Sequence, residues 1–156
     1  MPANVRAGQV VALVEVTGGL GPTMDTYRIA HELGEQLVAF LPALEAAELL
    51  GLVKKEKGEV SLTEFGLKFQ KTARNKVRLV KDRLAQIEPF KTALELASAK
   101  KEVTAEEIAK ALERRDILWH TDKELNESMI HALLVHWAIY AGLLTYNGKT
   151  GKFQKA

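Results

Sequence analysis

Residues 37–66 constrain the fold more than any other part of the chain. Leu37-Val38-Ala39-Phe40-Leu41-Pro42-Ala43-Leu44-Glu45-Ala46-Ala47-Glu48-Leu49-Leu50 is rich in apolar residues at three- and four-residue spacings. That is the pattern of a helix with one face in a core. The buried stripe reads as Leu37, Leu41, Leu44 and Glu48 alternating with Phe40, Ala47 and Leu50. Gly51 suits the left-handed residue just past a helix end. Residues 52–56 and 59–62 then read as short strands, with Lys57-Gly58 as the turn between them. Ser61 or Thr63 caps a further helix, with Glu64 three residues after Ser61. Pro42 is awkward, because an interior proline removes a hydrogen bond and clashes with the preceding turn. The helix therefore starts close to Phe40 or bends there.

Helix, hairpin, helix is the order of a winged helix. The upstream residues extend it. Val10, Val11, Leu13, Val14 and Val16 form an apolar helix or strand, with a helix favoured because one precedes the turn in this architecture, and Gly18-Gly19-Leu20-Gly21-Pro22 is a loop that ends it. Asp25 caps a short helix carrying Tyr27, Ile29, Ala30 and Leu33, and Gly34 closes it. That helix and the next make a helix-turn-helix. Downstream, residues 63–87 read as one long helix with Leu67, Ala73, Val77, Val80, Leu84 and Ile87 inward. Its outer side carries Lys68, Lys71, Arg74, Lys76, Arg78, Lys81 and Arg83 against a single acid, Asp82.

Pro89 marks the next break. Residues 90–100 predict a helix, and Thr104-Ala105-Glu106-Glu107 a capping box that opens another. Residues 114–124 are a polar linker holding Trp119. Residues 125–141 predict a long helix stopped by Gly142. Residues 143–147 and 152–155 then read as strands around a turn at 148–151.

The two halves echo each other. Ile29-Ala30-His31-Glu32-Leu33 pairs with Ile108-Ala109-Lys110-Ala111-Leu112. Ala47-Glu48-Leu49-Leu50-Gly51-Leu52-Val53 pairs with Ala138-Ile139-Tyr140-Ala141-Gly142-Leu143-Leu144. The expected fold is mainly α with small β-hairpins: tandem winged-helix units at 1–66 and 89–156, joined by a long basic helix at 67–88.

Composition narrows the partners. A net charge of +2 over 156 residues makes no global case for a polyanion. With no cysteine, disulfide and thiol chemistry are excluded. The mostly apolar run 129–144 is too short to span a bilayer and contains His131 and His136, so it reads as a buried helix. The first residues show no basic-then-apolar signal pattern. A cytoplasmic protein without direct membrane insertion is expected.

Three runs carry a resemblance: Ala30-His31-Glu32-Leu33-Gly34, then Leu41-Pro42-Ala43-Leu44-Glu45-Ala46-Ala47-Glu48-Leu49-Leu50-Gly51, then Leu62-Thr63-Glu64-Phe65-Gly66. Together they resemble the C-terminal AAA-associated domain. That domain is usually appended to the ATPase subunit of nitrate-, sulfonate- and taurine-type ABC importers. Residues 2–16 look like the segment after the ATPase domain there. His136-Trp137-Ala138-Ile139-Tyr140-Ala141-Gly142-Leu143-Leu144-Thr145-Tyr146-Asn147 looks like the closing helix and strand. The resemblance implies a non-catalytic regulatory or interaction module. Its implied partner is an importer ATPase subunit or a second copy, at the inner face of the membrane. No ATPase domain stands within these residues, which fits an excised tail or a free-standing copy, and ATP hydrolysis is not carried over.

Catalytic and cofactor chemistry find no residues to nominate. Gly142 and Gly148-Lys149-Thr150 lie six apart, where a phosphate loop needs five, and they bracket a strand rather than open a helix. His31, His120, His131 and His136 form no i, i+4 pair, and no cysteine can join them in a zinc site. The partner-binding candidates are Lys71, Arg74, Arg78 and Lys81, placed on one helix face by their spacing, with Lys54, Lys55 and Lys57 of the hairpin. They suit phosphate or an acidic protein surface; a plainly solvated helix face is the other reading.

The alternative function is a winged-helix DNA-binding transcriptional regulator. The architecture and the basic residues favour it. The expected reading helix opposes it, because it offers Glu35, Glu45 and Glu48 with no arginine or lysine. The second unit's helix, with Asn126, Ser128, His131 and His136 beside Glu124 and Glu127, is no better suited.

Overall fold

The computed structural model describes residues 1–156. It is mainly helical, with two small antiparallel sheets of three strands each. The chain divides into two compact units, Asn4–Leu79 and Val80–Ala156.

The first unit opens with α1 (Ala7–Gly19), which buries Val10, Leu13 and Val14. A two-residue strand, β1 (Met24–Asp25), follows. Asp25 then caps α2 (Thr26–Glu32), its carboxylate accepting the Tyr27 N–H at 2.9 Å. Next comes α3 (Leu37–Leu49), closed by Gly51 at φ 69°. Strands β2 (Val53–Glu56) and β3 (Glu59–Leu62) are joined by Lys57 and Gly58, both at positive φ (49° and 79°). Two successive left-handed residues are what a tight hairpin turn requires. The sheet order is β1-β3-β2, so β1, too short to be seen as a period-two pattern, pairs beside β3. Thr63 rather than Ser61 caps α4 (Glu64–Lys71), accepting the Gly66 N–H at 2.9 Å. Its hydroxyl also donates to the Gly51 carbonyl at 2.6 Å, tying the helix start to the end of α3.

The buried face of α3 differs from the expected stripe. Phe40, Ala43, Leu44, Ala46, Ala47 and Leu50 face inward. Leu41 and Glu48, expected inside, are exposed. Pro42 neither starts nor stops the helix, which runs from Leu37 through it. The proline nitrogen has no hydrogen to give Val38's carbonyl. Val38 is an exposed residue, where water can take that role.

The largest departure concerns residues 67–88, expected as one continuous helix. α4 ends at Lys71. Thr72 turns to extended backbone, and its hydroxyl donates to the Lys68 carbonyl at 2.8 Å. Asn75 sits at φ 56°. A 3-10 turn (Lys76–Val80) and the one-turn α5 (Lys81–Leu84) complete the stretch. Threonine and asparagine both hydrogen-bond locally in non-helical conformations, and asparagine tolerates the left-handed region. Placed three residues apart, Thr72 and Asn75 outweigh the helix-compatible spacing of the surrounding apolar residues.

The second unit repeats the first. α6 (Phe90–Lys100), β4 (Glu102–Thr104) and α7 (Ala105–Glu113) lead to α8 (Lys123–Leu133). α8 widens into a π segment (Leu134–Ile139), and β5 (Leu144–Asn147) and β6 (Lys152–Lys155) follow. The sheet order is β4-β6-β5, the counterpart of β1-β3-β2. The helix expected at 125–141 is therefore α-helical only to Leu133. Its widened turn buries Leu134, Trp137 and Ala138. Thr104 and Glu107 form the expected capping box.

Two carboxylates fasten the second unit's sheet and helix start. Glu102 accepts Lys152 Nζ at 2.8 Å and Gln154 Nε2 at 2.7 Å, which hold its carboxyl below the ordinary 4.5. The Thr104 backbone N–H, and then Lys100, hold Glu107 below that value too. Carboxyls depressed on folding stabilise fully above the unfolded value and lose that contribution as pH falls through their lower folded values. Lowering the pH from about 5 to about 3 should therefore reduce the urea midpoint of this unit. The E102Q/E107Q variant should show a flatter dependence. Tryptophan fluorescence reads it directly, since Trp119 and Trp137 both lie in this unit.

Candidate interaction surfaces

The basic candidates are exposed, but they do not form the expected face. Lys71 is the last residue of α4 and Arg74 lies in the irregular link. Arg78 is on the 3-10 turn, and Lys81 opens α5. A three- and four-residue spacing aligns side chains only along an unbroken helix, and this one is broken at Thr72. Lys71, Arg74 and Arg78 belong to the first unit, Lys81 to the second. Lys76, counted among the outward cations, is drawn inward. Its Nζ meets Glu15 Oε1 at 2.6 Å and the Gln70 carbonyl at 3.0 Å, and it secures the link against α1.

The hairpin lysines divide similarly. Lys54 pairs with Glu56 at 2.8 Å, and hydrogen bonding to that carboxylate raises its pKa. Lys55 and Lys57 are exposed without an ion pair in the chain. A further basic recess went unnoticed in the sequence. Lys100, Lys101 and Lys155 line an open depression of about 660 Å³ beside Glu102 and Gln154, where the end of α6 meets β6. Lys155 lies far from the adjacent Lys100 and Lys101 in the chain, so no local pattern marks the recess.

Several of the second unit's polar side chains are engaged within the fold. Asn126 is buried, and its Oδ1 accepts the backbone N–H groups of Trp119 at 2.8 Å and His120 at 3.2 Å. His131 packs edge-on to Tyr146 and Phe153, with ring centroids 5.2 and 5.5 Å away. His120 Nδ1 accepts the Asp122 N–H at 2.9 Å. Asn147, Lys149 and Gly151 form the turn between β5 and β6, Asn147 Oδ1 accepting the Lys149 N–H at 3.0 Å. No group of three or more metal-ligating side chains converges. No helix is long and apolar enough to cross a membrane.

The outward face of α3 is more apolar than a single buried stripe predicts. Val38 is 79% exposed, Leu41 40% and Leu49 47%, with Glu45 and Glu48 among them. The signal was present as an excess. Residues 37–50 hold more large apolar side chains than one buried stripe can take, and only contacts decide which are left outside.

Comparison with known proteins gives a family. The sequence model of the C-terminal AAA-associated domain matches residues 27–147. The match spans α2 to β5, so it takes in the resembling runs of both units. It does not include residues 2–16, where a resemblance was also expected. No curated protein and no solved structure matches the chain.

Proposed function

The chain belongs to the C-terminal AAA-associated domain family, and on that footing we propose that it is a non-catalytic regulatory module for the ATPase subunit of an ABC importer. The importer would carry nitrate- or sulfonate-type anions. The observation that carries this reading is the family match across both units, in a family of accessory domains associated with ATPases. The module works in the cytoplasm, held at the inner face of the membrane through the transporter.

The repeated order of helix, strand, two helices and two strands supports reading each unit as a winged helix. In that reading the β2–β3 and β5–β6 hairpins are the wings. Exposed cations at Lys71, Arg74, Arg78 and Lys81, with Lys54, Lys55 and Lys57 on the first wing, meet an acidic surface of the ATPase or of a second copy. Such contacts would bias the pairing of ATPase subunits. Charged rims govern association more than they add raw affinity. The K71E/R74E/R78E/K81E variant should still weaken binding to the ATPase subunit about tenfold or more in calorimetric titration. Unchanged affinity would remove these four residues from the interface.

The winged-helix order also favours a second reading, DNA binding, whose reading helix would be α3. That helix presents carboxylates and no lysine or arginine. Fluorescence anisotropy with a random-sequence duplex separates the two. The accessory-module reading expects no binding at low salt. Binding that falls steeply with salt would favour DNA.

A further inference from the structure

We propose that the outward face of α3 is a docking surface for a basic amphipathic helix of a partner protein. At 100° per residue, Val38, Leu41, Glu45, Glu48 and Leu49 fall within an arc of about 100°. Three of the five are large apolar residues left exposed, at 79%, 40% and 47%. The other two are exposed carboxylates with no ion pair in the chain. Nothing on α3 offsets them. From Ile29 to Val53 there are four glutamates, Glu32, Glu35, Glu45 and Glu48, and no lysine or arginine.

This combination selects its occupant. A duplex or an anionic lipid surface would bring phosphates against Glu45 and Glu48, and like charges at close range cost binding energy. Exposed apolar residues interleaved with carboxylates, Glu45 between Leu41 and Val38 and Glu48 at one edge, complement a helix whose leucine-like residues alternate with lysine or arginine on the face it presents. The corresponding start of α8 exposes Lys123, Glu124, Leu125 and Ser128, a mixed surface, so the feature belongs to the first unit. The inference rests on protein binding as the mode of action. It does not depend on the partner being an ATPase, nor on the basic residues.

The test is a titration of the ¹⁵N-labelled full chain with an 18-residue helical peptide of leucine and lysine. A peptide with glutamate at each lysine position serves as the control. The Leu/Lys peptide should saturably shift the amides of residues 38–49. Affinity should fall about tenfold in E45K/E48K and in V38S/L41S, both with unchanged spectral dispersion. The Leu/Glu peptide should bind at least tenfold more weakly. Shifts centred elsewhere, or equal binding of both peptides, would overturn the proposal. So would concentration-dependent shifts of residues 38–49 in the chain alone, which would seat a second copy on this face. A DNA duplex that shifts the same amides would overturn it as well. An ATPase that fails to bind while the peptide result holds would sink the importer reading and leave this one standing.

Discussion

Replacing Gly66 by alanine should destabilise the first unit by about 3 kcal/mol or more, the upper end of what overpacking costs. Gly66 lies in the first turn of α4, and an added Cβ would fall far inside van der Waals contact distance of Leu52's carbonyl oxygen. That neighbour cannot swing aside like a side chain. The Leu52 carbonyl accepts the Thr63 N–H at 3.1 Å and the Thr63 hydroxyl at 3.2 Å, and Leu52 itself is fully buried. Relieving the clash means moving α4 away from the start of the hairpin, which breaks the Thr63 cap as well. Gly19 provides the control. It ends α1 with nothing within 4 Å of an added Cβ, so G19A should change stability by less than about 0.5 kcal/mol. Hydrogen exchange of the β2 and β3 amides would read both variants. Equal protection in G66A and the unsubstituted chain would contradict the close approach.

Removing the side chain of Asn126 should cost about 2–3 kcal/mol in the second unit. The residue is 4% exposed, and one oxygen serves two backbone donors in the linker before α8. N126A leaves the N–H groups of Trp119 and His120 without that acceptor, and a donor stripped of its partner costs its full desolvation. The linker would lose its hold on the helix start, and Trp119 would report this as a red-shifted emission at lower urea. Ser128, two residues on and exposed, should tolerate alanine within about 0.5 kcal/mol. A silent N126A would show that water replaces the side chain without loss.

Asn126 also illustrates what could be read from residues alone. In the sequence it is one polar residue on a helix, a candidate for outward contact. Only the return of the linker over α8 turns it inward. Signals carried by adjacent residues translated well: the Lys57-Gly58 turn, Gly51 and Gly142 past their helices, the Asp25 cap and the Thr104–Glu107 box. Each is a local steric or hydrogen-bonding requirement that tertiary contacts have little reason to override. The paired motifs around Ile29 and Ile108 likewise correspond to units with the same sheet order.

Longer inferences from spacing fared differently. The apolar and basic periodicities across 67–88 fit a helix, yet Thr72 and Asn75 divide it. The aligned basic face went with it. Two of the four edge strands, β1 and β4, are too short to carry a pattern. On α3 the spacing identified a helix but not its inward side, because apolar residues occur nearly all round it. That ambiguity is also the functional clue, since the apolar residues left over are the ones exposed beside Glu45 and Glu48.

The most direct measurement is sedimentation of an importer ATPase subunit from the same organism, in ATP, with and without the chain. The account predicts a co-sedimenting complex and a shifted monomer–dimer equilibrium of the ATPase. An ATPase that sediments identically in both, with the chain running alone, would contradict it.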